Sequence, residues 1–352
     1  MSGRVGVAAV IGCLLLLAAG CGGGADDAGP HVAIRAENLT VPPSSGPVTY
    51  VLVRNLRNRT YKGAIVAGFP DGWKMNRTVQ PVKIKPRQTA RVAFAIERGA
   101  DAPSNAYPLW IKAVGDGPDV TRRQRIVCAS APYFRPLIDG KLDDWADAIP
   151  AAFTTAGKKT TVNTYWSRRT FSLLVAVEED KLLRLPDHNV ASAVDAVQIA
   201  VSPRDAKTAT LPTGTAERYE FLLVAVKDGG KCFCLLRRGQ RMWEVKSRRL
   251  LDGLELPGAA VAVTRSGGVT YYECSIPFKA MPDVQPDPGR EFCFSLLVHD
   301  PDGTGLRDWG PAAGLWPSQR NRLAWCCWQG AKWPEDPPFD NKIEWGFCSS
   351  KH

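Results

Sequence analysis

From residue 31 onward the chain is a succession of short runs in which apolar and polar residues alternate, cut apart by proline- and glycine-rich turns. The clearest run is Thr170–Val177, where Phe171, Leu173, Val175 and Val177 fall on every second position. A period of two puts alternate side chains on opposite faces of a strand, whereas a helix needs a period of 3.6. Helix-period patterns are scarce, and the 32 glycines and 27 prolines mark turns rather than helix interiors. Such runs can bury their apolar faces only by layering sheet on sheet. The fold class expected is therefore all-β.

The runs fall into two groups. His31–Ala36, Val48–Arg54, Lys62–Ala67, Arg91–Ile96, Tyr107–Ala113 and Gln124–Cys128 form the first. The second begins with the pair Val162–Trp166 and Thr170–Val177, and continues through Asp195–Val201, Arg218–Val226, Lys231–Leu236, Met242–Lys246, Ala259–Val263, Val269–Ile276 and Glu291–Val298. It ends in a pair, Arg322–Trp328 and Lys342–Phe347. Between the groups lies Pro136–Trp145, with a tight Asp139-Gly140 turn and then Leu142 and Trp145 three apart. That spacing puts both apolar side chains on one side of a short helical turn, with Trp145 pinned under a sheet. Two β-sandwich domains in tandem are expected, at residues 31–130 and 131–352.

The N-terminus reads as an export signal. Arg4 precedes an apolar run, Val5–Leu17, that is short for a membrane-spanning helix. It ends in Leu17-Ala18-Ala19-Gly20-Cys21, which resembles the lipobox of bacterial lipoproteins. The resemblance implies a signal peptide over residues 1–20, lipidation of Cys21, a flexible tether over 21–30 and a chain anchored to a membrane in the cell envelope. An oxidising compartment permits disulfides among Cys128, Cys232, Cys234, Cys274, Cys293, Cys326, Cys327 and Cys348, with the connectivity open. Buried free thiols are the other reading. Zinc is disfavoured, because no C-x₂-C pairs with a nearby histidine occur.

Charge is uneven. Residues 31–130 hold 16 Lys/Arg against 6 Asp/Glu, while residues 131–352 hold 28 against 27. The first group alone accounts for the net +10, a solvated basic surface or one that meets an anionic partner. No nucleic-acid motif accompanies that charge, so a nucleic-acid partner is not expected. Nor is an enzyme. The four histidines have no neighbour at triad or metal spacing, and no phosphate loop or nucleophile elbow occurs. The acid run Glu178-Glu179-Asp180 reads as a solvated turn. An axial haem ligand would have to come from Met242, Met281 or His299, none with supporting context.

The motifs of the second group keep a shared order: Ile138-Asp-Gly-x-Leu-Asp-Asp-Trp145, Trp166, Asp195-Ala-Val-Gln198-Ile, Tyr219-Glu220-Phe221, Tyr272-Glu273-Cys-Ser-Ile276-Pro277-Phe278, Asp300-Pro-Asp302-Gly303 with Arg307, and Trp333-Pro-Glu-Asp-Pro-Pro-Phe339. This order resembles the family 9 carbohydrate-binding modules. In the first group, Phe69-Pro-Asp-Gly-Trp73, Ile84-Lys-Pro-Arg-Gln88 and Asn105-Ala-Tyr-Pro108 look like the immunoglobulin-like domains attached to bacterial glycosidases, with Trp73 and Trp110 as packing residues. The resemblance implies non-catalytic binding of carbohydrate or polysaccharide. Trp333 would be a wall of an aromatic clamp, and Gln198, Glu220 and Arg307 its polar contacts. The family's second clamp tryptophan has no counterpart at Ser192-Ala193-Val194. Trp309, Trp316, Trp325 and Trp328 are the candidates to replace it. Each polar residue also has a plainer role: Gln198 and Glu220 facing solvent, Arg307 pairing Asp300 or Asp302. No cofactor is expected beyond a structural calcium at Asp300 and Asp302, where oxygen donors are dense. The rival function is a structural or adaptor lipoprotein whose sandwich no longer binds sugar.

Overall fold

The computed structural model describes residues 30–186, 193–203, 211–212, 215–241 and 251–309, and the backbone of a strand at Ile343–Gly346. The first eight strands are β1 (Val32–Ala36), β2 (Val48–Asn55), β3 (Tyr61–Gly68), β4 (Lys74–Met75), β5 (Val79–Ile84), β6 (Thr89–Arg98), β7 (Tyr107–Gly115) and β8 (Gly117–Ile126). They form two sheets, ordered β1-β2-β6-β4 and β5-β3-β7-β8. The alternating apolar positions of both sheets meet in one core that includes Val53, Ile65, Phe94 and Ile111. Trp73 packs at the margin of that core, stacked on Phe69. Trp110, expected as a packing residue, instead stands 42% exposed.

The second set comprises β9 (Ala151–Thr155), β10 (Lys158–Trp166), β11 (Thr170–Glu178), β12 (Ala196–Pro203), β13 (Tyr219–Val226), β14 (Gly229–Leu236), β15 (Ala260–Ser266), β16 (Val269–Pro277), β17 (Glu291–Asp300), β18 (Gly305–Asp308) and β19 (Ile343–Gly346). One sheet runs β15-β16-β11-β10-β9; the other runs β14-β13-β12-β17-β18, with β19 also on β17. Their facing sides close over a larger core containing Trp166, Phe171, Phe221, Phe294 and Trp309. All these ladders are antiparallel. The fold is all-β.

The expected hairpin between residues 162 and 177 is present, with Trp166 opposite Phe171. Of the expected closing pair, the second run is present as β19, which pairs with β17, Phe292 opposite Trp345 in the backbone register. The runs Met242–Lys246 and Arg322–Trp328 lie outside the described residues.

Trp145 is buried, but on the outer side of the β15–β9 sheet rather than in the main core. Its turn is a single 3-10 turn, Asp143–Trp145, closed by the Trp145 N–H donating to the Leu142 carbonyl at 3.0 Å. The indole stacks on Tyr165 with ring centroids 5.1 Å apart and joins Ala148 and Leu174. Its Nε1–H donates to Glu273 Oε1 at 2.8 Å, and the Gly140 N–H donates to the other oxygen, also at 2.8 Å. Gly140 has φ +83°, which glycine alone adopts without strain. Leu142, expected beside Trp145, is exposed; Ile138 takes that place.

Candidate functional site

The candidate site is a row of polar side chains on the outer face of the β14–β18 sheet. On β12, Val197, Ile199 and Val201 enter the core, so Gln198 must point the other way. The ladders set Gln198 opposite Leu222 of β13 and Leu297 of β17. Glu220 lies opposite Ala200, and His299 opposite Ala196. Both are therefore diagonal neighbours of Gln198, one on each side, within reach of long side chains. Gln198 Nε2 donates to Glu220 Oε2 at 3.0 Å, and its Oε1 lies 3.0 Å from His299 Nε2. Arg218 Nε continues the row, donating to Glu220 Oε1 at 2.6 Å. With the amide oriented this way, His299 must carry its proton on Nε2.

Gln198, Glu220 and His299 are buried, and Arg218 is the partly exposed end. The expectation that Gln198 and Glu220 face bulk solvent is therefore corrected. Burial holds the His299 pKa down at about 3. The unfolded state, with histidine near its ordinary value of about 6.5, takes up a proton first as pH falls. Stability contributed by neutral His299 is complete above that value and is lost as pH drops towards 3. We expect this site alone to cost about 2–3 kcal/mol between pH 7.5 and pH 4.5. Urea midpoints at the two pH values check this; in His299→Gln the pH-dependent loss shrinks by that amount, and an unchanged difference contradicts it.

Arg307 does not join this row. It lies opposite Val298 and on the core side, fully buried, with Nη2 donating to Asp300 Oδ2 at 2.5 Å and Nε to Thr304 Oγ1 at 2.6 Å. Its expected role as a sugar contact beside Gln198 is corrected: the two leave opposite faces of one sheet. The plainer expectation, an ion pair with Asp300, is what the fold makes. Trp309 is also withdrawn from the clamp, since it is buried between Phe153 and Phe294. Trp333, Trp316, Trp325 and Trp328 lie outside the described residues, as does Cys21.

Arg307 belongs to a second cluster, at one end of the core. Carboxylate oxygens of Asp195, Asp300 and Asp302 lie within 4.8 Å of one another. The loop can close this tightly because residue 303 is glycine; a Cβ there would fall 2.4 Å from Asp300 Oδ1. Asp195 Oδ2 accepts from the Leu183 N–H, but its buried Oδ1 has no partner. Glu179 accepts from Thr270 and Arg265 through Oε1 and leaves buried Oε2 without one. Burial, with the nearby acids, lifts Asp195 to about 8, and burial lifts Glu179 to about 7. Asp300, although buried, is held below its ordinary value by Thr304 and Arg307. Four carboxylates, Glu179 included, face two guanidiniums, Arg265 and Arg307. With every carboxylate ionised, as a bound cation would hold them, that leaves two negative charges, two orphaned oxygens and hard donors only, a set that fits a divalent oxygen-loving cation. Sequence reasoning named Asp300 and Asp302 but missed Asp195 and Glu179. Glu179, expected in a solvated turn, is buried.

The described cysteines, Cys128, Cys232, Cys234, Cys274 and Cys293, are buried free thiols. Cys232 and Cys234 share the core side of β14, as their spacing requires.

No family model and no curated protein matches the chain. Among solved structures it is similar to a family 9 carbohydrate-binding module from Caldicellulosiruptor kristjanssonii in complex with cellotriose. Identity is 14%, covering 51% of this chain and 80% of that one, with a TM-score of 0.36. The same kind of module in complex with glucose gives 14%, 49%, 78% and 0.35. The E. coli chaperone DraB gives 11%, 38%, 70% and 0.22.

Proposed function

We propose that this chain is a non-catalytic carbohydrate-binding protein, held at the cell envelope by a lipid on Cys21. The partly exposed Arg218 end of the Arg218–Glu220–Gln198–His299 row supplies the polar contact, with the buried members behind it holding its guanidinium in place, and Trp333 supplies a stacking wall. The observation that carries this reading is the meeting of Gln198 and Glu220. The resemblance implies both as polar contacts, and they share a 3.0 Å hydrogen bond on one sheet face. Vicinal sugar hydroxyls need donors and acceptors held side by side, and a pyranose C–H face needs an indole. Glucose and cello-oligosaccharides are the first ligands to test, because modules similar to this chain are described as complexes with glucose and cellotriose. Calorimetric titration should show saturable binding, weakened about tenfold or more in Trp333→Ala, since burial against an indole is worth roughly 1.5–3 kcal/mol. No binding across a broad glycan panel would overturn the proposal. On fractionation, Cys21→Ser should leave the membrane for the soluble fraction; persistence there would remove the anchor.

Calcium at Asp195, Asp300 and Asp302 is the structural part of the proposal. Chelation should lower the melting temperature and excess calcium restore it, by about 2.7 kcal/mol at a hundredfold excess over Kd. An unchanged melt would exclude it. The burial of Gln198, Glu220 and His299 favours one second reading, an adaptor whose row is purely structural. In that case glycans fail to bind while His299→Gln still alters stability.

A further inference from the structure

The exposed face of the first pair of sheets carries a feature that the proposed glycan surface does not use. Trp110, on β7, stands between Gly68 of β3 and Arg123 of β8 in the ladder. Gly68 is required there: a Cβ at that position would fall 2.1 Å from the Trp110 Nε1 and 2.2 Å from its Cε2. The indole therefore passes directly over the β3 backbone, one side resting on the sheet, with 42% of the residue exposed. Two residues away, Pro108 faces Arg125. Trp110, Gly68, Phe69, Pro108, Arg123 and Arg125 border an open groove of about 490 Å³.

The two arginines are exposed, and neither has a carboxylate partner among the described residues. Asp119, on the same strand, is taken by Lys112 at 2.6 Å. The surrounding residues 31–130 carry 16 Lys/Arg against 6 Asp/Glu, so the local field also favours an anion. A flat indole offers a face to the C–H side of a pyranose, and a guanidinium fork matches a carboxylate with two parallel hydrogen bonds.

We propose that the Trp110–Arg123–Arg125 face is a second binding surface, for an acidic polysaccharide whose sugars carry carboxylates. A lipid headgroup layer would meet the same charge. However, a ring laid along the sheet presents its plane to a flat ligand and does not project as an inserting anchor.

The test uses the full mature chain with three probes: polygalacturonate, neutral dextran, and vesicles of phosphatidylglycerol with phosphatidylcholine. Binding to polygalacturonate, absent with dextran and weakening as salt rises, is the expected result. Trp110→Ala and the double variant Arg123→Ala/Arg125→Ala should each reduce it about tenfold or more with unchanged melting temperature. Trp110→Phe should recover part of the affinity; if Trp110→Ala fails to fold, this variant and the arginine pair carry the test. Trp333→Ala and Gln198→Ala should leave it unchanged, which separates this face from the other surface. Polygalacturonate that does not bind at low salt, binding untouched by Trp110→Ala, or binding to the anionic vesicles alone would overturn the assignment.

Discussion

Trp145→Ala should cost about 3–5 kcal/mol from the cavity alone, and lower the melting temperature by roughly 10 °C or more for a unit of this size. The indole fills the space between the Pro136–Trp145 segment and the outer face of its sheet, against Tyr165 and Leu174. Removing it also strips Glu273 of the donor at 2.8 Å. Burial already raises the Glu273 pKa, opposed by the Trp145 and Gly140 donors. Loss of one donor pushes it higher and adds about 1–3 kcal/mol for the unpaired buried oxygen. Trp145→Phe separates the two contributions, since it keeps most of the ring and loses only the N–H. Thermal melts of wild type, Trp145→Phe and Trp145→Ala should therefore fall in that order. A Phe variant as stable as wild type would show that the Glu273 hydrogen bond contributes nothing.

Arg307→Met is the second large effect, about 3–5 kcal/mol, because it leaves Asp300 buried beside Asp195 and Asp302 without the guanidinium that pairs it. The loss comes from an abandoned charge rather than from a missing contact. Arg307→Met combined with Asp300→Leu should consequently be more stable than Arg307→Met alone. The single variant should also respond more strongly to calcium than wild type, since one positive charge has been taken from the cluster. Denaturant midpoints with chelator and with calcium read both effects. A double variant no better than the single one would contradict the ion-pair account.

These two residues also show what the sequence reveals and what it hides. Trp145 was legible because an Asp-Gly turn and an apolar pair three apart are local signals. Its partner Glu273 is 128 residues away, and nothing local announces it. Central strands were legible from alternation. The missed strands are edges or short pieces: β5 carries Pro81, which only an edge strand tolerates, and β9 and β18 also end their sheets. Within the site, Gln198 and Glu220 were named from motif order, but His299 joins them only through the pairing of β12 with β17. The same ladder puts Asp195 at the head of β12 beside Asp300, completing an acid cluster of which sequence showed two members. Arg307 was named for the wrong face, because spacing along a motif does not say which side of a sheet a residue leaves.

The most direct test of the carbohydrate-binding reading follows the side-chain amide of Gln198 by NMR, with its resonance assigned by its loss in Gln198→Glu. Adding a glycan that binds should shift that amide progressively to saturation, with the same midpoint that calorimetry gives. A glycan that binds while the Gln198 amide stays in place would contradict the assignment of the site to this row.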